Sequence, residues 1–208
     1  MDFPHSPAGT PVLRCEGLCA DEGGEALTVE LAAGESLQLQ AASKHSERVC
    51  LELLAGRRRP CLHQAARLAL DGRDMLGLSA FDYSRCGVQL VAASPPPIAG
   101  LSVRQNLDLS AGAGAAFEVA EVLQRLPALA ALAGLDGEAL PRRVHAELAL
   151  ARVLVRPLRL LLMAAGALPQ TLARELAGRG VAMIFGGSAR PPAGISRIKV
   201  SLEPLSRP

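Results

Sequence analysis

Aromatic side chains are almost missing from this chain: 208 residues hold four Phe, one Tyr and no Trp. None lies between Phe3 and Phe81. Half of the residues are nonetheless hydrophobic, so the core has to be assembled from Leu, Ala and Val. Long apolar runs are missing too. The longest, such as Leu160 to Leu168, stops well below the roughly 18 residues of a membrane-spanning helix, which excludes a direct membrane span. Met1 to Gly9 has neither a basic start nor an apolar stretch, so no secretory signal is expected. An excess of either charge is also lacking: 22 Lys and Arg face 20 Asp and Glu, scattered along the chain, which gives no electrostatic case for a nucleic-acid partner. The five cysteines (Cys15, Cys19, Cys50, Cys61, Cys86) are odd in number and lack C-x-x-C spacing, and the four histidines are dispersed. Reduced cytosolic thiols are expected rather than a metal site. No G-x-S-x-G elbow, H-E-x-x-H helix or Ser–His–Asp arrangement is legible.

What is present is an ordered succession of short β and α patterns. Leu27, Val29 and Leu31 alternate with Thr28 and Glu30, Ala33-Gly34 turns the chain, and Leu37 and Leu39 alternate again. A helix follows, with Ser46 as expected N-cap, Val49, Leu53 and Leu54 on one side, and Gly56 as its stop. The run Arg57-Arg58-Arg59 then reads as a solvated loop, with phosphate or anionic-lipid contact as the alternative. Leu68 to Leu70 and Asp71-Gly72 predict a strand entering a turn. Gly87 to Ala92 predicts another strand, ended by Pro95-Pro96-Pro97.

Ala115 to about Leu135 becomes helical and is broken at Pro127. Pro141 opens a further helix as a first-turn residue, with Val144, Leu148, Ala151 and Val155 as its buried stripe. On that helix Arg142, Arg143 and Arg152 read as solvated or capping, and His145 and Glu147 as surface residues. Two unbroken apolar runs, Arg159 to Met163 and Val181 to Phe185, flank a helix from Gln170 to Ala177. Apolar strands separated by helices predict a parallel sheet covered on both faces. Ile198, Val200 and Leu202 predict a last, half-exposed strand, and the tail from Pro204 to Pro208 reads as frayed.

This order resembles the nucleotide-binding domain of ABC transporters over nearly the whole chain. Gly34-Glu35 resembles the turn before the Walker A strand, and Leu54-Ala55-Gly56 the end of the helix after it. Leu70-Asp71-Gly72-Arg73-Asp74 is similar to the "ldGxd" turn, and Gly100 to Leu107 to the "gxsVxeNl" segment. Leu148 to Arg152, Arg156-Pro157 and Leu160 to Leu162 resemble the path from signature helix to Walker B strand. The resemblance implies an α/β P-loop NTPase fold: an antiparallel β subdomain, a parallel core sheet and a small helical subdomain at about 104–147, all within a single domain, 1–208.

The same resemblance places the family's functional residues on side chains that lack their chemistry. The Walker A loop wraps phosphates with glycine N–H groups and adds a Lys and a Ser or Thr. Its glycine positions fall on Ala41, Lys44 and Ser46, its lysine on Glu47, and Arg48 and Val49 follow. At about 4 Å and an effective dielectric near 20, one charge pair is on the order of 4 kcal/mol, and here its sign is reversed. Micromolar affinity amounts to only about 8 kcal/mol, so ordinary ATP binding is expected to be lost. The Q-loop glutamine falls on Ala93, and the LSGGQ signature on Leu140-Pro141-Arg142-Arg143-Val144. The Walker B aspartate and catalytic glutamate fall on Met163 and Ala164, and the switch histidine on Ser188. Neither Met163 nor Ala164 can hold magnesium or polarise water.

The resemblance therefore implies no catalytic residue, cofactor or metal. It points to a non-catalytic ABC ATPase-like subunit, a scaffold or regulator on the cytoplasmic face of the inner membrane. Its partners would be an ABC-type membrane permease and an intact ABC ATPase subunit or a second copy of itself. Alternatives are a divergent ATP-hydrolysing subunit that recruits Lys44 with Asp71 or Asp74, and a soluble, self-associating interaction module.

Overall fold

A computed structural model describes residues 11–19, 25–41, 43–60, 66–92, 97–193 and 203–204. The chain begins with β1 (Leu13–Leu18) and β2 (Glu25–Leu31), paired antiparallel, then turns into β3 (Ser36–Gln38) and α1 (Lys44–Leu54). A hairpin of β4 (Arg67–Leu70) and β5 (Arg73–Asp74) follows, with α2 (Ala80–Arg85) and β6 (Val88–Val91). The helical stretch comprises α3 (Val103–Asp108), α4 (Val119–Arg125), α5 (Pro127–Ala130), a 3-10 turn at Gly137–Ala139 and α6 (Arg142–Leu154). The chain closes with β7 (Leu160–Met163), α7 (Gln170–Gly178), β8 (Ala182–Phe185) and β9 (Glu203–Pro204).

Two sheets result. The antiparallel one runs β5-β4-β1-β2-β9, and the parallel one runs β3-β8-β7-β6. Both follow from side-chain periodicity. In β2 the buried Leu27, Val29 and Leu31 alternate with exposed Thr28 and Glu30, as one solvated face demands. Strands β6, β7 and β8 are buried at every position, as a sheet covered on both sides requires.

The parallel sheet divides the core. Leu160, Leu162, Ala182 and Ile184 face α1 and the antiparallel sheet, while Leu161, Met163, Met183 and Phe185 face the helices α3 to α7. Gly34 allows the two layers to close: its φ is +76°, and a Cβ there would stand 2.6 Å from the Ala177 carbonyl oxygen of α7.

Polar clamps hold the layers in register. Asp71, at the tip of the β4–β5 hairpin, takes two hydrogen bonds of 2.8 and 2.7 Å from the Arg159 guanidinium at the entry to β7, joining the two sheets. Asn106, fully buried on α3, accepts from Ile98 N at 2.9 Å and donates to the Leu101 and Ser102 carbonyls, pinning the segment before its helix. The buried Phe117 ring lies between the guanidiniums of Arg125 and Arg179, 4.4 and 4.2 Å from its centroid. Arg125 also binds the Glu175 carboxylate, coupling α4 to α7, and this pairing holds Glu175 below the usual carboxylate range. No helix among the described residues is long and apolar enough to cross a membrane.

The structure corrects several expectations. Ser43, not Ser46, caps α1: its Oγ accepts from Ser46 N at 3.0 Å, so the helix starts three residues early. Arg57 N binds the Glu52 carbonyl and Gly56 N the Leu53 carbonyl, a Schellman stop at the expected end. Pro141 is the N-cap of α6 rather than a first-turn residue. Strand β1 escaped sequence reading because a register shift between Cys15 and Leu18, at Gly17 with φ +62°, breaks its alternation. The short α2 is too brief to show helical periodicity. The strand expected at Ile198 to Leu202 lies outside the described residues.

Arg159→Ala is expected to lower unfolding free energy by about 2 kcal/mol, because Asp71 would be left partly buried without its guanidinium. A denaturant titration with unchanged m-value checks this. A second expectation concerns alkaline pH. Burial chiefly, helped by Cys50, pushes the Cys15 thiol from 9.0 up to about 12, while its Sγ lies 3.4 Å from the Leu27 carbonyl. The native thiol thus keeps its proton where an unfolded one loses it. Its stabilisation is complete below about pH 9 and drains between about 9 and 12. Stability should fall over that window with a slope from Cys15 of at most about 1.4 kcal/mol per pH unit. Chemical denaturation across pH should show a shallower fall in Cys15→Ala.

Candidate functional site: a cradle filled by its own carboxylate

In the parallel sheet, β3, β7 and β8 end on the same side, where helix α1 begins and where open α/β sheets bind ligands. A helix start there concentrates positive potential from unpaired N–H groups. In this chain Glu47 sits in the first turn of α1 and is 4 % exposed. Its Oε2 accepts a 2.8 Å hydrogen bond from Gly187 N, from the loop after β8. The Lys44 ammonium, one helical turn earlier, lies 3.1 Å from the same oxygen. The carboxylate thereby meets one backbone donor and one cation.

The loop that reaches Glu47 is Gly186-Gly187-Ser188, and its path is set by close contacts. Gly186 packs so tightly that a Cβ would lie 3.3 Å from Glu47 Cβ and Leu51 Cδ1. Gly187 has φ +62°, and a Cβ there would stand 2.7 Å from the Ala164 carbonyl oxygen. That carbonyl accepts from both Ser188 N at 2.9 Å and Ser188 Oγ at 3.2 Å. Gly186 N donates to the Met163 carbonyl at 2.9 Å, and Leu39 N to the Phe185 carbonyl at 2.7 Å.

The structure thus brings together Glu47, Lys44, Met163, Ala164 and Ser188, positions that the family resemblance assigns to a nucleotide site. Ala41 precedes them, half-buried. Ser46 turns its hydroxyl back to Ser43 at 2.9 Å, and Arg48 points outward toward His45 and Glu52. Pro141, Arg142 and Arg143 stand apart at the start of α6, both arginines exposed, and no hydrogen bond or ion pair among the described residues joins them to the cluster. Ala93 lies outside the described residues. Two participants escaped sequence reading: Ser43, where the cap was one turn off, and Gly187, for which the Gly-Gly pair after an apolar strand was the available signal.

Magnesium and a nucleotide do not fit these residues. A buried carboxylate stands where a phosphate would be cradled, and the end of β7 offers Met163 and Ala164 in place of metal-binding acids. No group of three or more His, Cys, Asp or Glu side chains among the described residues is placed to hold a metal ion.

No protein-family model matches the sequence, and no curated protein is matched by it. Solved structures, by contrast, match closely in shape. A nucleotide-free ATP-binding cassette from an ABC transporter superposes with a TM-score of 0.64 at 14% identity, over 84% of this chain and 80% of that one. CbiO1 from Clostridium perfringens, part of the ABC transporter complex CbiONQ, gives 0.64 at 15% identity, over 88% and 79%. A bacterial Atm1-family ABC exporter with ATP bound gives 0.63 at 17%, over 89% of this chain and 36% of that one. The fold is that of an ABC transporter ATP-binding cassette, as the resemblance of the sequence implied.

If Glu47 anchors the loop after β8, Glu47→Ala should cost about 2 kcal/mol, since Gly187 N–H would be left buried and unpaired. Glu47→Gln retains an acceptor for Gly187 N and loses only the charge pairing with the largely exposed Lys44 ammonium, so it should cost under about 1 kcal/mol. Urea unfolding of the two variants reads the difference.

Proposed function

We propose that this chain is a non-catalytic ABC ATPase-like subunit that serves as scaffold or regulator in a membrane transporter complex and neither binds nor hydrolyses ATP. The observation that carries this reading is the buried Glu47 carboxylate, bonded to Gly187 N and Lys44 at the position of the Walker A lysine. An anion built into the chain repels a phosphate and competes for the donors a phosphate would use. Met163 and Ala164 add that no carboxylate is at hand for magnesium or for the attacking water.

A retained shape without its chemistry favours a role in assembly. The chain is taken as one domain with a helical lobe at about 104–147, docked against an ABC-type permease on the cytoplasmic face of the membrane. An intact ATPase subunit or a second copy would complete the assembly.

Thermal melting with and without millimolar MgATP tests the reading, with an intact cassette as control. Ligand at 100 times its dissociation constant adds about 2.7 kcal/mol, several degrees of melting temperature. No shift is expected here. A shift that survives in Arg57→Gln, whose choice is explained below, would sink the proposal.

A further inference from the structure

A second charged locus lies away from Glu47. The C-terminal half of α6, strand β6 and the segment after α1 enclose a cavity of about 250 Å³. Arg57, Arg152 and Arg156 line it together with Gln89, over an apolar floor that includes Val91 and Val153, and no acidic residue among the described residues contributes to the wall. Arg57 comes from the basic run after α1, and Arg152 and Arg156 are one turn apart.

Arg152 and Arg156 are held in place without being neutralised. Arg152 Nε donates to Ser110 Oγ at 3.2 Å, and Arg156 Nε to the Ser110 carbonyl at 3.2 Å. Ser110 is itself buried and fixed by a 2.8 Å bond to the Asn106 carbonyl. Among the described residues no ion pair engages any of the three guanidiniums. The terminal nitrogens of Arg152 and Arg156, and the whole Arg57 head, make no hydrogen bond there. Burial chiefly, then the charges of Arg152 and Arg57, hold the Arg156 guanidinium below its usual range. Three cations gathered at one cavity without a carboxylate repel one another, and an anion would relieve that repulsion. Guanidinium forks fixed through Nε leave their terminal donors for bidentate contact with a tetrahedral oxyanion.

We propose that the Arg57–Arg152–Arg156 cavity binds a phosphate group, free or as a small phosphomonoester, separately from the vestigial nucleotide site. The cavity is large enough for a phosphate with a small organic remainder and is positively charged along one wall. The preference for a dianion over chloride follows from three guanidiniums lining one cavity.

The test is thermal melting in millimolar inorganic phosphate against sodium chloride of matched ionic strength, repeated with phenyl phosphate. The wild-type chain should gain several degrees in phosphate. Arg57→Gln removes no hydrogen bond among the described residues, so it should melt no lower than wild type in chloride. It should weaken apparent phosphate affinity by about tenfold or more, the loss of one charged hydrogen-bond partner. Arg156→Gln should do the same, and Lys44→Gln should leave the phosphate response intact. Tighter binding of phenyl phosphate would identify an ester as the ligand, and equal binding the free anion. The proposal is overturned if phosphate gives no shift beyond chloride, if the shift survives both arginine variants, or if Lys44→Gln alone abolishes it. A MgATP shift lost in Arg57→Gln would count for this cavity and leave the reading of Glu47 standing.

Discussion

The Glu47 carboxylate joins three segments that meet at the carboxyl edge of the parallel sheet: the first turn of α1, the Gly186-Gly187 loop after β8, and through that loop the end of β7. Nucleotide-binding folds leave this edge rich in unpaired N–H groups, and a bound phosphate ordinarily satisfies them. An anion carried by the chain is always present at full occupancy, with no translational entropy lost on binding. The consequence is mutual exclusion. What makes the loop after β8 independent of a ligand also withholds its donor from one.

The exclusion is sharpened by packing. A Cβ at Gly186 would crowd Glu47 Cβ and one at Gly187 the Ala164 carbonyl, so only glycines let the loop lie this close to the carboxylate. Ser188 then uses both its N–H and its hydroxyl on that same carbonyl. The Ser188 side chain is thereby committed to the scaffold. Clamps elsewhere, such as Asp71 with Arg159 and Phe117 between two arginines, bind sheet to sheet and helix to helix without reference to a ligand.

Much of this was legible in the sequence because two periodicities carry it. The buried runs of β7 and β8 and the alternation of β2 are set by the solvent each face meets, so residue order alone reveals them. The charge of Glu47 and the neutrality of Met163 and Ala164 could be read the same way, since charge is a property of the residue itself. What stayed hidden depends on contact across the fold. The partner of Glu47 is 140 residues away in the chain. The bulge at Gly17 erased the alternation of β1, and Ser43 and Ser46 differ as caps only by one hydrogen bond of backbone geometry. Ser110, which orients Arg152 and Arg156, carries no sequence mark of that role.

The two charged loci show opposite electrostatic solutions. At Glu47 a buried charge is compensated within the chain, by a backbone N–H and a lysine, which makes that place self-sufficient. At Arg57, Arg152 and Arg156 like charges are gathered and supported by neutral acceptors only, which raises the free energy of the unliganded protein. Burying or crowding charge without compensation is destabilising, so such an arrangement is sustained where the missing counter-charge arrives from outside. A chain shaped by stability alone would place a carboxylate beside Arg156, as it does beside Arg159 and Arg125. The contrast within one molecule supports both proposals: an internal carboxylate is held at the start of α1, and none among the described residues is paired with Arg57, Arg152 or Arg156.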